Sequence, residues 1–147
     1  MTLEQVLEEW ATDSKLPRNN LDEASRQTPS LHSKYLTLLS HAKLKMKKAE
    51  MDQKSLLKDK WLYYNGKMDE DQLKATGWDL DPLNGLKVMK GEMDYYYDSD
   101  KEIQESELKI QYLKTLIDTL NEIVNNLNWR HQTISNMIKW KVFEAGG

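Results

Sequence analysis

Between Ile110 and Lys141, apolar residues return at alternating steps of three and four. One column of this seven-residue repeat holds Ile110, Ile117, Val124, His131 and Ile138. A second holds Leu113, Leu120, Leu127, Ile134 and Lys141. A third, just before the first, adds Leu116, Ile123 and Met137, with Arg130 interrupting it. This spacing predicts one long helix seeking helical neighbours, from near Ile103 to about Trp140. Three columns make a stripe wider than the two-column seam of a simple dimer, so the helix must bury against more than one neighbour. The core of a monomeric bundle and an interface between subunits meet that demand equally well, and periodicity does not separate them.

The remaining pattern is also helical. Thr2-Leu3-Glu4-Gln5 reads as a capping box opening a short helix to about Trp10, with Leu3, Val6, Leu7 and Trp10 on one face. Asn20-Leu21-Asp22-Glu23 reads as the cap of a second short helix. Thr28-Pro29 suits the start of a long helix, Thr28 as cap and Pro29 at the first helical position. Leu31, Tyr35, Leu38, Ala42, Met46, Ala49, Leu56 and Tyr64 then carry an apolar line to the stop signal Asn65-Gly66. Residues 67–101 are less regular. Asp69 to Lys74 suggests a turn or two of helix, Asp79 to Gly85 a turn, Leu86 to Lys90 a strand or a helix, and Met93 to Tyr97 a strand-like or irregular stretch. The expected fold is mainly α, with two long antiparallel helices and short N-terminal ones. It forms a single helical domain over 1–147: short helices in 1–27, a long basic helix in 28–66, an acidic connector in 67–102 and a C-terminal oligomerisation helix in 103–147.

Composition shifts the balance between core and interface. Leu, Ile, Val and Phe total 32 of 147 residues, little above the range of disordered chains. A monomer so supplied has a marginal core, which favours subunits that share one. With no Cys, disulfide and thiolate chemistry are excluded. No apolar run approaches the length of a membrane span, and the N-terminus lacks the basic-then-apolar pattern of a signal peptide.

The net charge of −3 conceals a strong asymmetry. Residues 43–67 carry eight Lys against Glu50, Asp52 and Asp59, whereas residues 68–109 carry five Lys against twelve acids. On a helix, Lys43, Lys47, Lys54 and Lys58 fall within about 60° of one another, away from the apolar line, and Trp61 extends their stripe. Cations interleaved with aromatics suit single-stranded nucleic acid: lysines neutralise phosphates and release counterions, and rings stack on unpaired bases. The candidate binding residues are therefore Lys54, Lys58, Lys60, Trp61 and Lys67. The bland alternative is a solvated Lys face whose aromatics belong to the core.

No candidate for bond-making chemistry emerges, and no enzyme, cofactor or metal site is expected. Asp79-Leu80-Asp81 and Asp98-Ser99-Asp100 lack the Gly and Glu of a calcium loop, and His32, His41 and His131 have no ligand spacing. Gly66-Lys67 lacks the upstream glycines of a nucleotide-binding loop.

Three stretches resemble the UvsY family, the recombination mediators of T-even-like phages. These are Ser33-Lys34-Tyr35-Leu36, the run Leu57-Lys58-Asp59-Lys60-Trp61-Leu62-Tyr63-Tyr64-Asn65-Gly66-Lys67, and the tail Phe143-Glu144-Ala145-Gly146. The likeness covers roughly residues 31–67 and the last few, and departs between Met68 and Ile103. It implies an α-helical subunit that assembles into an open-barrel ring, a homo-oligomer of six or seven. It implies partners in single-stranded DNA, a UvsX-like phage recombinase and the phage single-strand-binding protein, in the cytoplasm of an infected bacterial host, without a membrane. A mediator of this kind loosens the binding protein's hold on the strand and helps the recombinase to load, without ATP of its own. The family's DNA-contacting basic pair falls on Lys58 and Lys60, with Lys60 where an Arg is familiar. Self-association falls on the C-terminal helix: Ile110, Leu113, Leu116, Ile117, Leu120, Ile123, Val124, Leu127, Ile134 and Ile138. An adaptor coiled-coil protein without nucleic-acid binding is the competing reading.

Overall fold

The computed structural model describes residues 1–146, which form α1 (Leu3–Asp13), α2 (Leu21–Tyr64), α3 (Glu70–Thr76), α4 (Met93–Ser99), α5 (Lys101–Asn128) and α6 (Arg130–Glu144). Among the described residues there is no strand. The chain gathers into two compact units, one built from Met1–Lys45 with Leu113–Gly147 and the other from Met46–Tyr112. Both α2 and α5 supply residues to each unit.

In the first unit, α1 opens on the expected capping box. Gln5 N donates to Thr2 Oγ1 at 3.2 Å, and Thr2 N donates to Gln5 Oε1 at 2.9 Å. Its Val6 enters a core with Tyr35, Leu39 and Ala42 of α2 and Leu116, Leu120, Ile123 and Leu127 of α5. Leu7, expected on the same face, is exposed. A second cluster joins Leu21 and Ala24 to Ile134, with Leu16 and Met137 against it. As α2 advances from Leu21 to Ala42, its partners retreat from Met137 to Leu116, so within this unit the pairing is antiparallel as expected.

A polar cluster closes the unit. Asp13 Oδ2 accepts from Lys34 Nζ and from the Tyr35 hydroxyl, both at 2.7 Å. Lys34 Nζ also lies 2.6 Å from Glu9 Oε2, and Arg130 Nη1 donates to the Asp13 carbonyl at 2.9 Å. Burial alone would raise the Asp13 carboxyl's pKa; hydrogen bonds from Lys34 and Tyr35, with the charges of Lys34 and Arg130, outweigh it and hold it below the ordinary 3.8. A depressed folded-state value means that the carboxylate stabilises the fold above the ordinary value. That contribution is lost as pH falls through the lower, folded one. Asp13→Asn is therefore expected to flatten the pH dependence of urea unfolding below about pH 4. Equal slopes for the two proteins would show that Asp13 does not carry it.

Two helix boundaries depart from the sequence reading. The short helix expected at Asn20 and the long one expected at Thr28 are one helix, with Pro29 inside α2. Proline there removes a single helical hydrogen bond, to the carbonyl of Ser25, on an exposed turn that water reaches. The buried Leu21 and Ala24 hold the preceding turns in place. Conversely, the expected single C-terminal helix is broken at Trp129, which separates α5 from α6. Asn125, Asn126 and Asn128 lead into the break, and Trp129 N closes a tight turn onto Asn126 O at 3.1 Å. Asn side chains compete with helical backbone bonds, which weakens the helix here. Arg130, read as an interruption of the stripe, is buried and ties α6 to α1.

In the second unit, α2 ends where Asn65-Gly66 predicted. Lys67 N reaches back to Leu62 O at 2.8 Å and Gly66 N to Tyr63 O at 3.1 Å, with Gly66 at φ 68°. This double closure needs a residue tolerant of left-handed backbone. Asp69 caps α3 through Gln72, within the stretch read as a turn or two of helix. Met93 to Tyr97, read as strand-like or irregular, is instead helix α4. Its tyrosines favour strands locally, but Met93, Tyr96 and Tyr97 sit at helical spacing and turn partly inward. Tyr97 donates to Leu57 O at 3.2 Å, and the Tyr96 ring packs 5.6 Å from that of Tyr64. Tertiary contact overrides propensity.

Candidate nucleic-acid interface

The last turns of α2 carry the basic-aromatic segment, and helical geometry divides it into two faces. Lys54 and Lys58 are exposed, and Trp61 continues their side of the helix at 41% exposure. Lys67, just past the Gly66 turn, is exposed and folds back with its Nζ 4.6 Å from the centre of the Trp61 ring. The ammonium and the indole hold each other in place and leave a cation beside a partly open aromatic surface. Four of the five candidate binding residues thus share an accessible region.

Lys60 does not share it. It stands two positions beyond Lys58, which rotates it about 200° around the helix. It is buried, 4% exposed. Its Nζ lies 3.0 Å from Asp100 Oδ2 and 3.5 Å from Glu102 Oε1. The ammonium sits 3.9 Å from the centre of the Trp78 ring and 5.5 Å from that of Tyr63. Asp100 is itself fixed, accepting from the Tyr64 hydroxyl at 2.6 Å and, as the cap of α5, from Ile103 N at 3.1 Å. Burial would raise the Asp100 carboxyl's pKa, but these hydrogen bonds and the Lys60 charge hold it below the usual carboxylate range. Trp78 Nε1 donates to Glu102 Oε1 at 2.6 Å, and the Tyr63 hydroxyl donates to Asp79 O at 2.7 Å.

Sequence reasoning missed Asp100, Glu102 and Trp78. One local signal was present: Asp100 precedes Ile103 by three residues, the spacing of an N-cap. Nothing local linked it to a lysine forty residues earlier.

The candidate self-association residues fall into three groups. Leu113, Leu116, Leu120, Ile123, Leu127 and Ile134 are buried within the subunit. Ile110, Ile117 and Val124, from the first column of the repeat, are partly buried. Ile138, from the same column, is 48% exposed. Beyond it α6 presents Trp140, Val142 and Phe143 to solvent, the Trp140 and Phe143 rings packed edge-to-face at 5.7 Å. No helix among the described residues is long and apolar enough to cross a membrane. No cluster of three or more His, Asp or Glu among them is placed to hold a metal ion.

The family profile described as recombination, repair and ssDNA binding protein UvsY matches residues 9–147. The recombination protein uvsY of Enterobacteria phage T4 is 26% identical over 146 residues, 99% of each chain. A crystal structure of the phage T4 recombination mediator protein UvsY superposes with a TM-score of 0.81 at 26% identity, covering 99% of this chain and 98% of that one. A second crystal form gives 0.79 at 24% identity, covering 98% and 99%.

Proposed function

The chain belongs to the UvsY family of recombination, repair and single-stranded-DNA-binding proteins, and from that premise we propose that it is a non-enzymatic recombination mediator whose strand-binding surface is the exposed basic-aromatic end of α2. The observation that carries the proposal is the grouping of Lys54, Lys58, Trp61 and Lys67 on accessible surface, with the Lys67 ammonium against the indole. Lysines here neutralise backbone phosphates, and the indole stacks on an unpaired base, a contact that contributes about 1–3 kcal/mol per base. Neither contact reads sequence, which suits a protein that must act on any strand.

Subunits associate into a ring of six or seven through the half-open column Ile117, Val124 and Ile138 and the apolar end of α6. The ring repeats the α2 surface and converts weak single contacts into tight binding. A strand held against it is constrained in shape. That constraint loosens the phage single-strand-binding protein and favours loading of the phage recombinase, in the cytoplasm of the infected bacterium. The ring requires no nucleotide hydrolysis of its own.

The test is titration of a fluorescent single strand across a salt series with the wild type and the Lys58→Ala, Lys67→Ala double variant. Removing two phosphate contacts is expected to lower the slope of log affinity against log salt by roughly 1.4, at about 0.7 per contact on a single strand. An unchanged slope and affinity would move the site elsewhere. Absence of strand binding by the wild type at moderate salt would favour an adaptor coiled-coil protein instead.

A further inference from the structure

We infer that Lys60 is a positioning residue for the strand-binding surface, not a phosphate contact, and that Asp100 is the group through which it acts. The inference rests on the proposed role of the α2 surface and assigns a different task to one of its five lysine and tryptophan candidates. Lys58 and Lys60 stand about 200° apart on one helix, so a strand lying on the Lys58 side meets the wrong side of Lys60. The side chains of Lys60 and Asp100 are each 5% exposed, and their charged atoms lie 3.0 Å apart. To reach a phosphate, the ammonium would have to leave the faces of Trp78 and Tyr63 and abandon Asp100. Asp100 cannot follow, because the Tyr64 hydroxyl and Ile103 N both hold it. Stripping the partner from a buried carboxylate costs far more than an exposed contact with an anion returns.

The pair has a mechanical consequence for Trp61, the next residue along. It pins the last full turn of α2 to the first turn of α5 and to the Trp78 connection, and so fixes the direction in which Lys58 and Trp61 point. A lysine at this position thereby serves DNA binding without touching DNA.

The first test needs no mutation. Wild-type protein is labelled with an amine-reactive acetylating reagent, alone and saturated with an oligothymidylate single strand, and acetylation is read by mass spectrometry. Lys58 and Lys67 are expected to label freely and to become protected by the strand, while Lys60 stays unlabelled in both states. Ready labelling of Lys60 in free protein, or its protection by the strand, would overturn the inference. The second test is the salt series. Lys60→Met is expected to weaken binding with no change in slope, Asp100→Asn to do the same, and the double variant to be no worse than either single one. A slope lowered by about 0.7 in Lys60→Met marks a phosphate contact and sinks the idea. So does tighter binding by Asp100→Asn, which would mean that the carboxylate withholds the lysine from DNA. If the strand leaves Lys58 and Lys67 unprotected, the α2 surface itself is wrong and the role of Lys60 falls with it, a result distinct from a Lys60 that labels while its neighbours are protected.

Discussion

Leu120→Ala is expected to destabilise the protein by about 2–5 kcal/mol, with a correspondingly lower urea midpoint. Leu120 is 1% exposed and packs in the cluster of Val6, Tyr35, Leu39, Leu116 and Ile123. Truncation removes the transfer energy of the lost methyl groups and leaves a cavity that three helices would have to close. Partners on α1, α2 and α5 cannot all move inward without losing contacts elsewhere. A folded domain holds only about 5–15 kcal/mol in total, so this loss threatens the first unit outright. Leu108→Ala is the control: its side chain is 69% exposed, and the change is expected to fall within about 0.5 kcal/mol. If Leu120→Ala instead lowered the molecular mass in light scattering and left the urea midpoint alone, Leu120 would belong to a subunit interface and not to the core.

The second large effect is expected at the far end of the chain. On the proposed assembly, the double change Trp140→Ser with Phe143→Ser should reduce the ring to monomers and weaken strand binding by roughly 10²- to 10⁴-fold, the factor that linking several sites confers. Trp140 is 63% and Phe143 71% exposed, an unusual position for two large aromatic rings in contact with each other. Neither belongs to the two apolar clusters of the first unit, so the urea midpoint of the subunit should barely move. Light scattering and strand titration on one sample separate the outcomes. A variant of unchanged mass would clear these rings of a role in association. A monomer that binds strand as tightly as the wild type would show that repetition of the α2 surface does not matter.

Patterns confined to one helix were legible in the sequence. The capping box at Thr2, the stop at Gly66 and the apolar columns of α5 follow from rules that act within a turn or two. The Lys54, Lys58, Trp61 face did too, because all three lie on one uninterrupted stretch of α2. What escaped depended on partners distant along the chain. Lys60 resembles its neighbours in a Lys-rich run, and its burial follows from Asp100 and Trp78. Arg130 looked like a flaw in an apolar column, yet its charged end reaches the Asp13 carbonyl more than a hundred residues away. Pro29 reads as a helix start by every local rule, and the packing of Leu21 and Ala24 carries the helix through it. The column residues could be placed on a face, but which columns pack internally and which stay half open depends on the position of α1 and α2.

The first unit is assembled from the two ends of the chain, Met1–Lys45 and Leu113–Gly147. A ribosome releases the first part and then spends about 3–13 s on the intervening stretch, at 5–20 residues per second. Throughout that interval Val6, Tyr35 and Leu39 lack their core partners Leu116, Leu120 and Ile123. The second unit, drawn from one continuous stretch, has its whole sequence available first. Nascent chains arrested before Leu113 should therefore expose an apolar surface that chaperones recognise. Trimming the C-terminus of the finished protein should loosen α1, the helix farthest from the cut in sequence.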